Sequence, residues 1–252
     1  MSILNVRKIQ KQTAVQKVLE SLKAYILSDD GTAGLKLPSE VELAEQLGVS
    51  RLTVREALTI LEKEGYIARN QGSSTTITSF AKKLTCRIED AREIAKFIKD
   101  NGYDSSVDEI LYHWKKSDQL ESENLSIEKD EEILVVEKRF LANGAPAAFC
   151  IDRIPKKYLS RTDFKTEELE DSMFYFVEKY CHCQLTHDFI ELIPVVSDAK
   201  LSRLFDIKEG SPLFRVDTIE YSKDGIPVMY NTEYYLPQFI RFTACRTVAY
   251  MS

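Results

Sequence analysis

Ser50, Arg51, Thr53 and Arg55 fall within six consecutive residues, the stretch of this chain best equipped for chemistry on a polyanion. Each guanidinium can clasp a phosphate or read the O6 and N7 edge of a guanine in bidentate fashion, and the hydroxyls can bind backbone oxygens. That work requires the four groups on one face of a rigid element.

The flanking pattern supplies such an element. Ala14 to Leu27 places Val15, Val18, Leu19, Leu22 and Ile26 at helical spacing, and Asp29-Asp30-Gly31 ends that helix. Ser39, after Pro38, reads as an N-cap, with Glu42 three residues on completing a capping box. The second helix is expected to bury Val41, Leu43, Ala44 and Leu47 and to close at Gly48. Ser50 then caps a third helix that turns Val54, Leu58 and Leu61 inward and leaves Arg51, Thr53 and Arg55 outside, until Gly65 ends it. Tyr66–Arg69 and Thr75–Thr78 read as two strands around a turn over Asn70–Ser74, a wing. Helix, tight turn, basic helix and wing form the order of parts that lets a helix enter a DNA major groove.

A chain of 252 residues exceeds what one small core needs, so two domains are expected. Its 44% hydrophobic and 29% charged residues describe an ordinary globular protein. The net charge of −6 disfavours a nucleic-acid binder until the chain is divided: residues 1–77 carry 10 Lys+Arg and 9 Asp+Glu, +1, and the rest 24 and 31, −7. The acid excess thus lies away from the basic helix. With no apolar run of membrane-span length, no signal-peptide core and five cysteines suggesting reduced thiols, the expected location is the cytoplasm, with no membrane partner.

Residues 14–78 resemble the winged helix-turn-helix of the GntR family of bacterial transcription regulators. The resemblance rests on Leu37-Pro38-Ser39-Glu40, on Val49 to Leu58 and on Leu61-Glu62-Lys63-Glu64-Gly65. It implies that Arg51 and Arg55 reach phosphates or guanine edges, that Ser50 and Thr53 bind backbone, and that the Gly72 tip enters a minor groove. The chain departs from the family in carrying Val41 where Arg usually follows Ser-Glu, which removes one groove contact, and Ser74 at a common glycine of the wing.

After a polar connection at 79–84, Ala91, Ile94, Ala95, Phe97 and Ile98 predict a helix ended by Asn101-Gly102. Strands follow at Val107–Lys115, Ile133–Leu141, Ala147–Ile154, Leu213–Tyr221 and Val228–Leu236, with helices near Ser172–Tyr180 and Ala199–Phe205, an antiparallel α+β domain. Residues 85–242 resemble the UTRA effector-binding domain of the HutC-type branch of GntR regulators, which is similar to chorismate lyase in fold. Arg139 to Pro146, Ser172-Met173-Phe174, Gly210-Ser211-Pro212 and Tyr234-Tyr235 carry that likeness through their order and spacing. The division implied is a DNA-binding domain over 1–78, a linker over 79–84 and an effector-binding and dimerisation domain over 85–252.

In sugar-phosphate-responsive relatives the pocket holds paired arginines, a Ser-x-Tyr, two glutamates and a late tyrosine. Traced onto this chain, the arginine positions fall at Lys138 and Phe140 and the glutamate positions at Cys150 and Met229, while Ser172 and Tyr235 are kept. That pattern argues against an amino-sugar phosphate. The two-residue period places Met229, Asn231, Glu233 and Tyr235 on one face, beside Lys138 and Phe140 on a second strand and Cys150 and Asp152 on a third. Lys138, Ser172, Glu233 and Tyr235 are therefore the candidate effector contacts, in a lining of apolar and single charged groups suited to a small polar metabolite.

No nucleophile elbow, P-loop, glycine-rich dinucleotide turn or zinc-protease motif occurs, so no catalytic residue, metal or cofactor is assigned. Cys181-His182-Cys183 lacks zinc-site spacing, and strand alternation would separate its side chains. Glu121 to Glu132 reads as a solvated acidic loop. The reading is a homodimeric, effector-controlled transcription regulator of repressor type, acting on a pseudo-palindromic operator of double-stranded DNA. The alternative is an enzyme of chorismate-lyase-like fold with an autoregulatory head, and the lack of a recognisable catalytic pair counts against it.

Overall fold

The computed structural model describes residues 13–69, 74–84, 86–170 and 172–246. The chain forms two compact units, 1–87 with 243–252 and 88–242.

In the first unit α1 (Ala14–Leu27), α2 (Glu40–Leu47) and α3 (Arg51–Lys63) precede a two-stranded wing, β1 (Ile67–Ala68) and β2 (Thr76–Ile77). Each helix starts on a hydroxyl cap: Thr13 and Ser39 form full capping boxes with Gln16 and Glu42, and Ser50 accepts from the Thr53 N–H. Gly48 closes α2 at φ 65°, a left-handed turn that a Cβ would strain. Val18, Leu22, Ile26, Leu43, Val54, Leu58, Leu61 and Ile77 make the core. Val41 does not join it: two residues before the buried Leu43, it lies about 200° round the helix from it and stays 49% exposed, which corrects its expected burial.

The 79–84 segment is more than a polar connection. It makes a 3-10 turn at Ala81–Lys83 that packs against α1 and sinks Ala81 and Leu84 into this core. The described tail, 243–246, also joins this unit rather than the second domain to which 85–252 was assigned: Thr243 pairs with Arg87, donates to the Cys86 carbonyl at 2.7 Å, and Cys245 packs on the core.

The second unit contains α4 (Ile94–Asp100), β3 (Ser105–Lys116), α5 (Gln119–Leu125), β4 (Glu132–Ala142), β5 (Ala145–Pro155), α6 (Glu167–Glu170), α7 (Met173–Cys181), β6 (Leu185–Val196), α8 (Ala199–Phe205), β7 (Pro212–Ser222) and β8 (Pro227–Tyr235). One antiparallel sheet runs β3-β4-β5-β8-β7-β6. Its faces are covered differently. Leu134, Val136 and Met229 meet α7, where Phe176 and Tyr180 stack with ring centroids 4.6 Å apart. Burial of one such ring contributes about 2–3 kcal/mol. Ile133, Val135 and Tyr230 meet α5 on the opposite face, and Phe149 meets α8 there. Two covered faces explain why β4 opens on an unbroken Ile133-Leu134-Val135-Val136 run instead of alternating.

The sheet is built from two similar halves. Asp118 and Asp198 cap α5 and α8, Ser126 and Asp206 close them in left-handed geometry, and Ser122 and Ser202 donate to the Ser117 and Ser197 hydroxyls, each pair 80 residues apart. The Ser117 and Ser197 N–H groups likewise donate to the carbonyls of Glu131 and Ser211, both at 2.8 Å. The halves meet along β5 and β8. The expected acidic loop is therefore in part a helix, with Glu121 and Ser122 buried, since Ser117 and Asp118 start it as Ser197 and Asp198 start α8. Cys181 ends α7 and His182 follows at φ 53°, so no strand alternation operates there. Among the described residues no group of His, Cys, Asp and Glu is placed to hold a metal, and no helix is long and apolar enough to cross a membrane.

Candidate functional site

Two sites emerge, one in each unit. On the first, α3 presents Arg51 and Arg55 with 61% and 51% of their side-chain surface exposed. One carboxylate gathers them: Glu40, at the start of α2, receives Arg51 Nε at 3.2 Å, Arg55 Nη2 at 2.9 Å and Arg69 Nη2 at 2.8 Å. The Arg55 hydrogen bond is the main cause holding the Glu40 carboxyl below its ordinary value. Three cations against Glu40 and, 3.9 Å from Arg69, Glu62 still leave net positive charge at the helix surface, with the guanidiniums splayed from Glu40. Ser50 and Thr53 hydroxyls lie 2.8 Å apart at the α3 N-terminus, where backbone N–H groups favour phosphate oxygens. Sequence analysis passed over Glu40 and Arg69 as members of this group. Arg69 directly follows β1 and also donates to Thr59, so only the tertiary approach of wing and helix reveals it. Gly72 lies outside the described residues.

The second site is a cavity of about 660 Å³, counting its open mouth, on the α7 side of the sheet. It is lined in register. Lys138, Cys150, Glu233 and Val216 form one row across β4, β5, β8 and β7, and Asp152, Asn231, Thr218 and Ile190 form the next across β5, β8, β7 and β6. Met229, Glu220 and Asp188 form a third. All eight positions that the two-residue period grouped together do line it, including Phe140 and Tyr235.

Of the candidate contacts, Lys138, Glu233 and Tyr235 line the cavity directly, whereas Ser172 sits behind it, capping α7 and donating to Glu93, which does line it. The Tyr235 hydroxyl donates to Glu233 Oε2 at 2.6 Å, and the Cys150 thiol to Asp152 Oδ1 at 3.1 Å. Burial holds that thiol well above its usual range, so it keeps the proton it donates.

The expected lining of single charges among apolar groups needs correction. Asp90, Glu93, Asp152, Asp188, Glu220 and Glu233 face Arg92 and Lys138. Burial, then the neighbouring carboxylates, pushes Glu220 up to about 9, and burial pushes Glu233 up to about 7. Glu93, Glu220 and Asp188 escaped notice because α4's leading segment, β7 and β6 had not been placed around the cavity.

A winged basic helix and a sheet domain with an open polar cavity fit a ligand-responsive DNA-binding regulator, and comparison with known proteins agrees. Residues 14–77 match the model for bacterial regulatory proteins of the gntR family, and residues 101–241 match that for the UTRA domain. The chain belongs to the GntR family of transcription regulators, in the branch whose second domain is UTRA; it is a DNA-binding regulator and not an enzyme. The HTH-type transcriptional repressor NagR of Bacillus subtilis is 24% identical over 222 residues, spanning 88% of this chain and 90% of that protein. The mannosyl-D-glycerate transport/metabolism system repressor MngR of Escherichia coli is 22% identical over 90% of this chain and 93% of its own. The same fold occurs in the crystal structures of YydK from Bacillus subtilis, with TM-score 0.73 at 20% identity over 94% and 100% of the two chains, and of PhnF from Mycobacterium smegmatis, with TM-score 0.58 at 20% identity over 92% and 100%.

Proposed function

We propose that the protein is a cytoplasmic, homodimeric repressor that reads a two-fold operator with α3 and is released or re-spaced by a small polar metabolite held in the cavity. Arg51 and Arg55 contact phosphates or guanine edges, Ser50 and Thr53 bind backbone, and the Gly72 wing tip enters the minor groove. Lys138, Glu233 and Tyr235 line the effector's site, with Ser172 fixing Glu93. The observation that carries this reading is the exposed Arg51–Arg55 pair, aimed outward from a capped helix by Glu40. The repressor names of the relatives NagR and MngR support the sign of regulation.

A dimer suits a two-fold operator, whose half-sites recur about 34 Å apart along the duplex. Support for self-association comes from the β6 edge, where Phe189, Leu192 and Val196 stand exposed on a 12-residue strand paired with β7 on one side only. Effector binding acts by favouring one head spacing over another, a shift of populations. The test is a gel shift with promoter fragments flanking the protein's own gene: the wild type retains a fragment and the Arg51→Ala, Arg55→Ala double variant does not. Equal retention by both would refute the assignment of α3 as the reading element.

A further inference from the structure

The cavity is wired against anions. Of its two bases, Arg92 is already taken by Asp90 at 2.5 Å and by Asp100 at 2.7 Å. Lys138 Nζ stands 4.0 Å from Asp152 Oδ2, beyond hydrogen-bond range but close enough to serve as its counter-charge. A phosphate or carboxylate entering here meets one available cation, Lys138, already facing the Asp152 carboxylate, against the carboxyl groups of Glu93, Asp188, Glu220 and Glu233. Asp188 and Glu220 are register partners on adjacent strands, an arrangement that disfavours charge on both, so Glu220 holds its proton until something positive comes between them.

A second observation is independent of that charge count. Asp152 and Asn231 are partners across the β5–β8 seam, only 2% and 4% exposed, and both line the cavity. Asp152 Oδ2 and Asn231 Oδ1 nevertheless accept no hydrogen bond. Two buried acceptors side by side without donors cost free energy unless a ligand supplies the protons. What they lack is N–H or O–H donors, and the surrounding carboxylates require those donors to be positive. Phe140, Met173 and Phe242 complete an apolar wall that can carry a short hydrocarbon stem and offer a ring face to a cation.

We propose that the effector is a small cationic metabolite bearing an ammonium, amidinium or guanidinium group, whose N–H donors fill Asp152 Oδ2 and Asn231 Oδ1 and whose charge is met by Asp188 and Glu233. The inference rests on the cavity being the effector site. Lys138 then acts as a positioning residue that holds Asp152, and the Tyr235 hydroxyl fixes Glu233.

The experiment is a thermal-shift titration of the full-length protein with putrescine, agmatine and lysinamide as cationic probes, glucose 6-phosphate and glutarate as anionic probes, and glucose as a neutral one. At least one cationic probe should raise the melting temperature in a saturable way. The near-isosteric variants Asp152→Asn and Glu233→Gln, and the exposed Asp188→Asn as a variant with little risk to folding, should each weaken that probe's apparent Kd by about ten-fold or more, as expected for a charge-assisted contact. A saturable shift from the anionic or neutral probes alone overturns the cationic class while leaving the cavity as effector site. A cationic shift unchanged in all three variants places binding elsewhere and overturns the assignment, as does the absence of any cationic shift. Promoter retention by gel shift, measured on the same samples, reports separately on the regulator reading.

Discussion

The reading surface and the cavity solve opposite problems with the same residue types. On the surface, one carboxylate organises three arginines, so the cations are in excess, exposed and aimed. In the cavity, six carboxylates face two bases, and the anions are in excess and largely hidden. Exposure makes the first excess cheap, because water screens it until DNA displaces the water. Burial makes the second costly, and the cost appears as carboxyls pushed toward protonation. On the proposed reading, each charge imbalance selects its ligand: the exposed cationic surplus is completed by phosphate, and the buried carboxyl surplus by a cation.

The most severe way to break this contrast is on the surface. Replacing Arg51 and Arg55 together with alanine should weaken operator binding by about 3 kcal/mol or more per head, measured by fluorescence anisotropy, since each good bidentate contact contributes about 1–3 kcal/mol. The same variant should melt like the wild type, because both side chains are exposed. A smaller effect is expected at the organiser. Glu40→Gln should lower the ratio of specific to nonspecific affinity by about ten-fold in competition with bulk DNA, because freed arginines still attract phosphate but lose their fixed directions.

The cavity half of the comparison is sharpened by pH. Glu220 rises from 4.5 to about 9, first through burial and then through the charges of Asp188, Glu233, Asp152 and Glu93. The folded state therefore keeps a proton that the unfolded chain gives up, and between those two values it binds more protons than the unfolded state. Stability must fall as pH rises across that window, with no contribution from this group below it. Melting temperatures from pH 5 to 9 should show the decline, and Glu220→Gln should flatten it. The smallest expected effect is at a cap: Ser39→Ala removes one capping-box partner of α2 and should cost about 1 kcal/mol in denaturant unfolding.

The first unit was readable from sequence because its signals are local. Ser39, Glu42 and Gly48 mark helix ends within a turn of themselves, and α1 spans the residues that periodicity indicated. In the second unit the hairpins around Asn143-Gly144 and Asp224-Gly225 were equally legible, and the two-residue period grouped eight residues that do line the cavity. What was missed depends on long-range packing. β6 is an edge strand whose exposed Phe189, Leu192 and Val196 blur the alternation of a half-buried strand. Helix α5 hid in an acidic run, although the Ser117-Asp118 and Ser197-Asp198 pairs, 80 residues apart, carried a repeat that could have revealed both it and the second half. Glu93 and Glu220 join the cavity only once α4's leading segment and β7 are set against it. Ser172 was found through its motif, but its carboxylate partner was not.

The central claim is that α3 carries the DNA contact. It is tested most directly by anisotropy titration of a promoter fragment with wild-type protein and with the Arg51→Ala, Arg55→Ala variant at several salt concentrations. The account predicts tight wild-type binding that weakens steeply with salt, and a variant with both lower affinity and a shallower salt slope. Identical curves for the two proteins would contradict it.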